Sequence, residues 1–173
     1  ILKFDNAGNR LWATYYGGPN KDYFYGLATD ASGKVYLTGS TNSTTGVATT
    51  GSSQPSNAGG YDAYIACFTS TGGMSWATYF GGLIDETAQD IALDGSGNIF
   101  ITGETKSFSG IATSGAHDTT HAGATGTNDA FLAKFSNTGS KLWVTFYGDA
   151  GDDQAIGVAV EPSGNIDIVG WTN

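Results

Sequence analysis

The sequence predicts an all-β protein, a β-propeller segment built of four-stranded antiparallel blades. Three observations carry this expectation. First, LWATYYGG at Leu11 to Gly18 returns as SWATYFGG at Ser75 to Gly82 and as LWVTFYGD at Leu142 to Asp149, in steps of 64 and 67 residues. Second, every repeated block alternates as a strand does. Third, the 173 residues include 27 Gly but only 13% charged residues, which is too little charge to solvate long helical surfaces.

Taken in chain order, the first eight residues, ILKFDNAG, read as the end of a block that recurs at Tyr61 to Gly72 and Asn128 to Gly139. The Trp block follows. Leu11, Ala13 and Tyr15 alternate with Trp12, Thr14 and Tyr16, so both faces are bulky and the strand should lie between neighbouring sheets. Next come short runs of small residues at Gly26–Thr29, Asp90–Leu93 and Gly157–Val160, expected to be innermost, where blades crowd. A D-x-S-G-K/N turn then leads to Val35–Gly39 and its siblings. There Val35 and Leu37 hold an aliphatic face, and the opposite face drifts from Tyr36 to Phe100 to Asp167, as a more exposed face can. The polar stretches Asn42–Gly60 and Lys106–Thr127 absorb the length difference between repeats and are expected to be flexible loops outside the sheets.

The repeats span 1–64, 65–131 and, in part, 132–173. In strand order this predicts blades over about 22–82 and 86–149, with half-blades at 1–18 and 153–173. A β-solenoid is the rival architecture, but its coils rarely carry so long a loop. Because both ends of the sequence fall inside a repeat, the expectation is a window of a longer propeller whose neighbours supply the missing strands. Two chains exchanging halves to give six blades, or one chain closing on three, are the other ways to pair the exposed edges.

Composition also limits function. A formal net charge of −9 argues against nucleic acid and anionic membrane surfaces as partners, and no apolar run is long enough for a transmembrane helix. The single cysteine, Cys67, excludes an internal disulfide. No P-loop, nucleophile elbow, H-E-x-x-H or C-x-x-C motif occurs, and no catalytic residue is assigned. Asp22, Glu86 and Asp153 recur at one offset after the Trp block, just before the inner strand. Convergence of these acids would make a polar rim or a Ca²⁺ site; engagement with the backbone would make them turn caps. Asp30, Asp94 and Glu161 head the next turn, and Asp62 and Asp129 read as hydrogen-bonders at an edge. His117 and His121 are weak metal candidates, read chiefly as solvated side chains of one loop. Trp12, Trp76 and Trp143 belong to the blade core, whereas Trp171 replaces Ser40 and Glu104 and is the candidate for ligand stacking. Thr119, in Asp118-Thr119-Thr120, is a candidate O-glycosylation site.

The motifs WATYYGG, D-x-S-G-N-x-Y-x-T-G, DAYIACF and DAFLAKF resemble the bacterial SBBP repeat, named for the seven-bladed β-propeller. Cys67, where Lys3 and Lys134 stand in the siblings, departs from the pattern, as does Asp149 in place of a glycine. The resemblance implies a secreted or cell-surface bacterial protein, of a kind that in Bacteroidota often uses type IX secretion. It implies no catalytic residue. The expected role is a non-enzymatic scaffold or adhesion module, without cofactor unless Ca²⁺ binds. Its expected partners are further propeller repeats, a second copy, glycans or surface proteins. A lectin-like propeller is the alternative, and a glycan-active enzyme a more distant one.

Overall fold

A computed structural model describes residues 1–173 and consists of twelve β-strands without a helix. Strands β3 (Asp22–Thr29), β4 (Val35–Thr41), β5 (Asp62–Phe68) and β6 (Met74–Phe80) form one antiparallel four-stranded sheet. Strands β7 (Glu86–Leu93), β8 (Ile99–Thr105), β9 (Asp129–Phe135) and β10 (Lys141–Tyr147) form a second. β1 (Leu2–Phe4) pairs with β2 (Arg10–Ala13), and β11 (Asp153–Val160) with β12 (Ile166–Thr172), as separate two-stranded sheets. These are the blades and half-blades of a β-propeller. The half-blades do not join each other, so this chain does not close on three blades.

β3, β7 and β11 lie side by side across the blades, and the small residues explain how. A Cβ on Gly26 would come within 3.0 Å of Asp90 Cα and Ile91 N on the neighbouring inner strand. These strands are longer than the small-residue runs suggested. Each begins at the repeated acid and accommodates the extra residues with a register shift, at Phe24/Gly26, Ala88/Asp90 and Ala155/Gly157. Asp22, Glu86 and Asp153 therefore open the inner strand and do not precede it.

The core lies between blades. Phe80 of the first complete blade packs against Phe131 and Phe135 of the second, with ring centroids 5.1 and 5.7 Å apart. Tyr16 of the first half-blade packs against Tyr64 and Phe68 at 5.6 and 5.5 Å. Burying each such side chain stabilises the fold by roughly 1.5–3 kcal/mol. β4 is buried along its whole length on both faces. The expectation of an exposed Tyr36 face is thus corrected: Tyr36 and Phe100 are buried because the next blade covers them. Trp76 meets Tyr36 edge-on at 6.4 Å and lies over Gly139 of the next blade, where a Cβ would stand 2.7 Å from the indole.

The polar stretches do lie outside the sheets, but as ordered straps. Thr49 N–H donates to Ala77 O at 2.9 Å and Tyr79 N–H to Gln54 O at 3.1 Å; Thr113 to Val144 O and Phe146 to Asp118 O repeat the pattern at 3.0 and 3.1 Å. Buried Val47 and Ile111 anchor the two straps. Each strap thereby covers the outer edge of its blade, which would otherwise invite pairing with another chain.

Glycine 103 tests this close packing. A Cβ there would collide with the Thr87 carbonyl oxygen, whereas one on Gly95 meets nothing. Gly103→Ala is expected to destabilise the chain by about 1–3 kcal/mol or more, and Gly95→Ala to stay within about 0.5 kcal/mol, as measured by urea unfolding.

Candidate functional site

The polar residues that recur from repeat to repeat gather at the blade junctions. Glu86 is fully buried at the head of β7. Its Oε2 accepts the Gly82 N–H at 2.6 Å and its Oε1 the Thr105 hydroxyl at 2.6 Å. Thr105 Oγ1 accepts the Ser107 N–H at 3.0 Å, and Ser107 Oγ accepts the Ile84 N–H at 2.9 Å. The first blade repeats this circuit. Asp22 accepts from Gly18 N–H at 2.9 Å and from the Thr41 hydroxyl at 2.5 Å, Thr41 Oγ1 from Ser43 N–H at 2.9 Å, and Ser43 Oγ from Asn20 N–H at 2.9 Å. Asp153, also buried, accepts from Asp149 N–H at 2.9 Å. The three acids stay in their own blades and do not converge. Each holds the turn that leads from the outer strand of one blade to the inner strand of the next. No group of three or more His, Cys, Asp or Glu side chains is close enough to hold a metal ion.

A second set of acids seals the same junctions. Asp85 Oδ1 accepts the Tyr61 N–H at 3.0 Å, and Asp152 Oδ1 accepts the Asn128 N–H at 2.9 Å. Asp62 and Asp129 are fully buried, which corrects their expected place at an edge. Asp62 Oδ2 takes Gln54 Nε2 at 2.7 Å and Ala58 N–H at 3.0 Å, fixing the strap end, while its Oδ1 has no partner. Asp62 and Glu86 face each other across Gly81, whose missing Cβ would lie 2.5 Å from both carboxylates. Burial, with the Glu86 charge beside it, pushes Asp62 up to about 6. Burial likewise raises Glu86, against the hydrogen bonds from Thr105, Ser107 and Gly82.

His117 and His121 do not come together as a metal site. His117 is exposed, beside Asp149 and Asp153 in a cleft of about 360 Å³. His121 is buried, contrary to its expected solvation, with its ring 4.3 Å from Phe108 and 5.9 Å from Phe146. Its Nε2 lies 3.2 Å from Thr105 O and its Nδ1 3.4 Å from Asp129 Oδ1. The sibling Asn57 reaches the equivalent Thr41 O at 3.3 Å, so His121 performs in the longer strap what an amide performs in the shorter one. Trp171 is the exposed tryptophan; its Nε1 donates to Gln154 Oε1 at 2.8 Å, and both line a cavity of about 160 Å³. Thr119 is exposed on a turn closed by Thr120 N–H to Asp118 Oδ1 at 2.8 Å.

The Thr and Ser partners, Thr41 with Ser43 and Thr105 with Ser107, escape sequence reading. Their signal was present, since T-x-S recurs 64 residues apart, but it straddles the boundary between a strand block and a variable stretch.

The family model of the SBBP beta-propeller repeat matches residues 11–45 and again 75–109. Each matched segment runs from an outer strand through the next blade's first two strands, and so contains one complete Asp/Glu–Thr–Ser circuit. No curated protein matches the chain.

Glu86→Ala is expected to cost about 2–4 kcal/mol, since it strands buried donors, and Thr105→Val part of that; chemical denaturation measures both. The melting temperature is expected to be the same in excess Ca²⁺ and in chelator. A calcium-dependent rise that Asp22→Ala abolishes would establish a cation at the rim.

Asp62 also sets a pH dependence. Because its folded value lies above the unfolded one near 3.8, the folded state binds the extra proton, and stability is lost as pH rises through the window from 3.8 to about 6. Across that window the melting temperature of the native chain should fall relative to that of Asp62→Asn by several degrees, at about 2–4 °C for each kcal/mol of linkage. Parallel melting curves for the two would remove Asp62 as the cause.

Proposed function

We propose that the chain is a non-enzymatic β-propeller module of a secreted or cell-surface bacterial protein, serving as a scaffold and adhesion surface. The observation that carries this reading is where the repeated polar side chains are spent. Asp22, Glu86 and Asp153, and with them Asp85 and Asp152, accept backbone N–H groups at blade junctions. A catalytic pair needs two acids in different environments with access to substrate, whereas these acids share one structural task in each repeat. The Ser/Thr-rich straps suit display at a Bacteroidota cell surface after type IX secretion, with Thr119 positioned for an O-linked glycan. The net charge of −9 disfavours nucleic acid and anionic lipid as partners.

A lectin-like form of this reading rests on Trp171, which is exposed beside Asp153 and Gln154. Indole faces stack on apolar ligand surfaces. On a glycan array this form predicts a bound sugar lost at least about ten-fold, near 1.4 kcal/mol, in Trp171→Ala.

The surface assignment is tested by treating intact cells that produce the parent protein with an external protease. The propeller epitope is expected to be lost from intact cells, and an epitope degraded only after lysis would refute the assignment. Chromogenic glycosides, esters and phosphate esters are expected to remain unhydrolysed above blank, and turnover of any of them that survives repurification would refute the non-enzymatic role.

A further inference from the structure

One position of the repeat carries lysine at two junctions and cysteine at the third, and the difference leaves a groove between the two complete blades. Lys3, Cys67 and Lys134 are equivalent by the repeat step. The Lys3 ammonium reaches across to the next blade, donating to Gly33 O in its inner hairpin and Ser70 O in its outer hairpin, both at 3.4 Å. The Lys134 ammonium lies 3.8 Å from Asp94 Oδ2 of its own blade and 5.0 Å from the Phe100 ring centre. A lysine here therefore stands between an aspartate and an aromatic ring on one side and two hairpin carbonyls on the other. At the remaining junction the counterparts of those groups are Asp30, Tyr36, Gly97 and Asn137, and all four line a groove of about 490 Å³. The buried Cys67 thiol is too short to enter it. A Cβ on Gly33 would meet Lys3 Nζ at 3.6 Å, whereas one on Gly97 would meet nothing within 4 Å but Asn137 Cβ. We propose that this groove binds the ammonium head of a primary alkylamine, either a free amine or a lysine side chain of a partner, where Lys3 and Lys134 stand at the sibling junctions. This goes beyond the module's proposed surface role and does not depend on it.

The charge on Asp30 is the first argument. Its Oδ1 is engaged by the Ser32 and Lys34 N–H groups at 2.9 and 3.0 Å and by the Ser32 hydroxyl at 2.7 Å, whereas its Oδ2 accepts only the Tyr36 hydroxyl at 3.2 Å. Its sibling Asp94 has an ammonium at that oxygen. Tyrosine replaces phenylalanine in the same repeat in which cysteine replaces lysine, and the two stand opposite each other, as Phe100 and Lys134 do. The hydroxyl supplies a hydrogen bond in place of the ammonium but leaves the negative charge uncompensated. Asp94 lines the facing wall, so the groove presents two carboxylates to a cation.

The shape of the groove favours an alkylammonium over a bare cation. Leu93 offers an apolar contact for a methylene stem, and the carbonyls that take Lys3 take separate N–H donors of one –NH₃⁺ group. Lys34 lies at the same groove, where the siblings carry Asn98 and Asn165. Its ammonium enters none of the chain's ion pairs. Its flexible stem can swing toward solvent and yield the site, so Lys34 is a competitor that lowers affinity.

NMR titration of the 173-residue chain with n-butylammonium, the lysine side chain as a free molecule, tests the site. Saturable millimolar binding is expected, because a part-exposed ion pair is weak, with shifts confined to the hairpins of Asp30 and Gly97. Asp30→Asn keeps an acceptor for the turn and should weaken binding about three-fold or more; Lys34→Asn should strengthen it. Cys67→Lys combined with Tyr36→Phe copies the sibling pair and should abolish binding, while Cys67→Ser should retain it. N-acetyl-lysine methylamide identifies the source: its binding assigns the site to a lysine side chain of a polypeptide, and binding of n-butylammonium alone assigns it to free amines. Tetramethylammonium has no N–H to donate, and an equal response to it would reduce the effect to attraction by the net charge of −9 and overturn the proposal. So would the absence of n-butylammonium binding, or its persistence in the Cys67→Lys, Tyr36→Phe variant.

Discussion

A carboxylate at the head of each inner strand, buried in the case of Glu86 and Asp153, governs how these blades are spaced. Glu86 has no solvent to satisfy it, so its oxygens must find donors in the protein. The available donors are the Gly82 N–H, at the end of the preceding blade, and the Thr105 hydroxyl, at the end of the second strand of its own blade. Satisfying both fixes the Gly81–Gly82 turn against the next sheet. Here glycine is required on steric grounds: a Cβ on Gly82 would come within 2.6 Å of Ser107, and one on Gly81 would meet Asp62 and Glu86. Asp22 and Gly18 repeat the arrangement one blade earlier.

Once that spacing is set, the apolar residues have a defined gap to fill. Phe80, Phe131 and Phe135 interlock across the junction, and β4, which follows the inner strand of the first complete blade, carries Tyr36 on one face and Val35 and Leu37 on the other because both faces are covered. The straps complete the blade by pairing with β6 and β10 and sinking Val47 and Ile111 against them. An isolated four-stranded sheet would leave two faces and two edges wet. In this architecture the neighbours cover the faces, the strap covers one edge, and the adjacent inner strands crowd against the other.

Much of this was legible in the sequence because a repeat fixes spacing without reference to tertiary detail. The steps of 64 and 67 between tryptophans identified the blade, and the alternation within each block identified its strands. The fixed offset of Asp22, Glu86 and Asp153 marked them as equivalent, and capping was among their expected roles. What stayed hidden depended on contacts across the chain. His121 looks like a loop residue in sequence, yet the ordered strap carries it under Phe108 and Phe146. Tyr36 looked half-exposed because alternation reports on one sheet and cannot count the blade stacked on its other side. Asp62 looked peripheral for the same reason.

The central claim is that the head-of-strand carboxylate ties each blade to the next through a backbone N–H, and native-state hydrogen exchange reads this bond directly. The Gly82 amide is expected to be protected to the level of strand amides such as that of Ile101 in the native chain. In Glu86→Ala, which removes the acceptor, it should lose most of that protection while Ile101 loses far less of its own. A Gly82 amide that exchanges as freely as an exposed turn in the native chain would contradict the account.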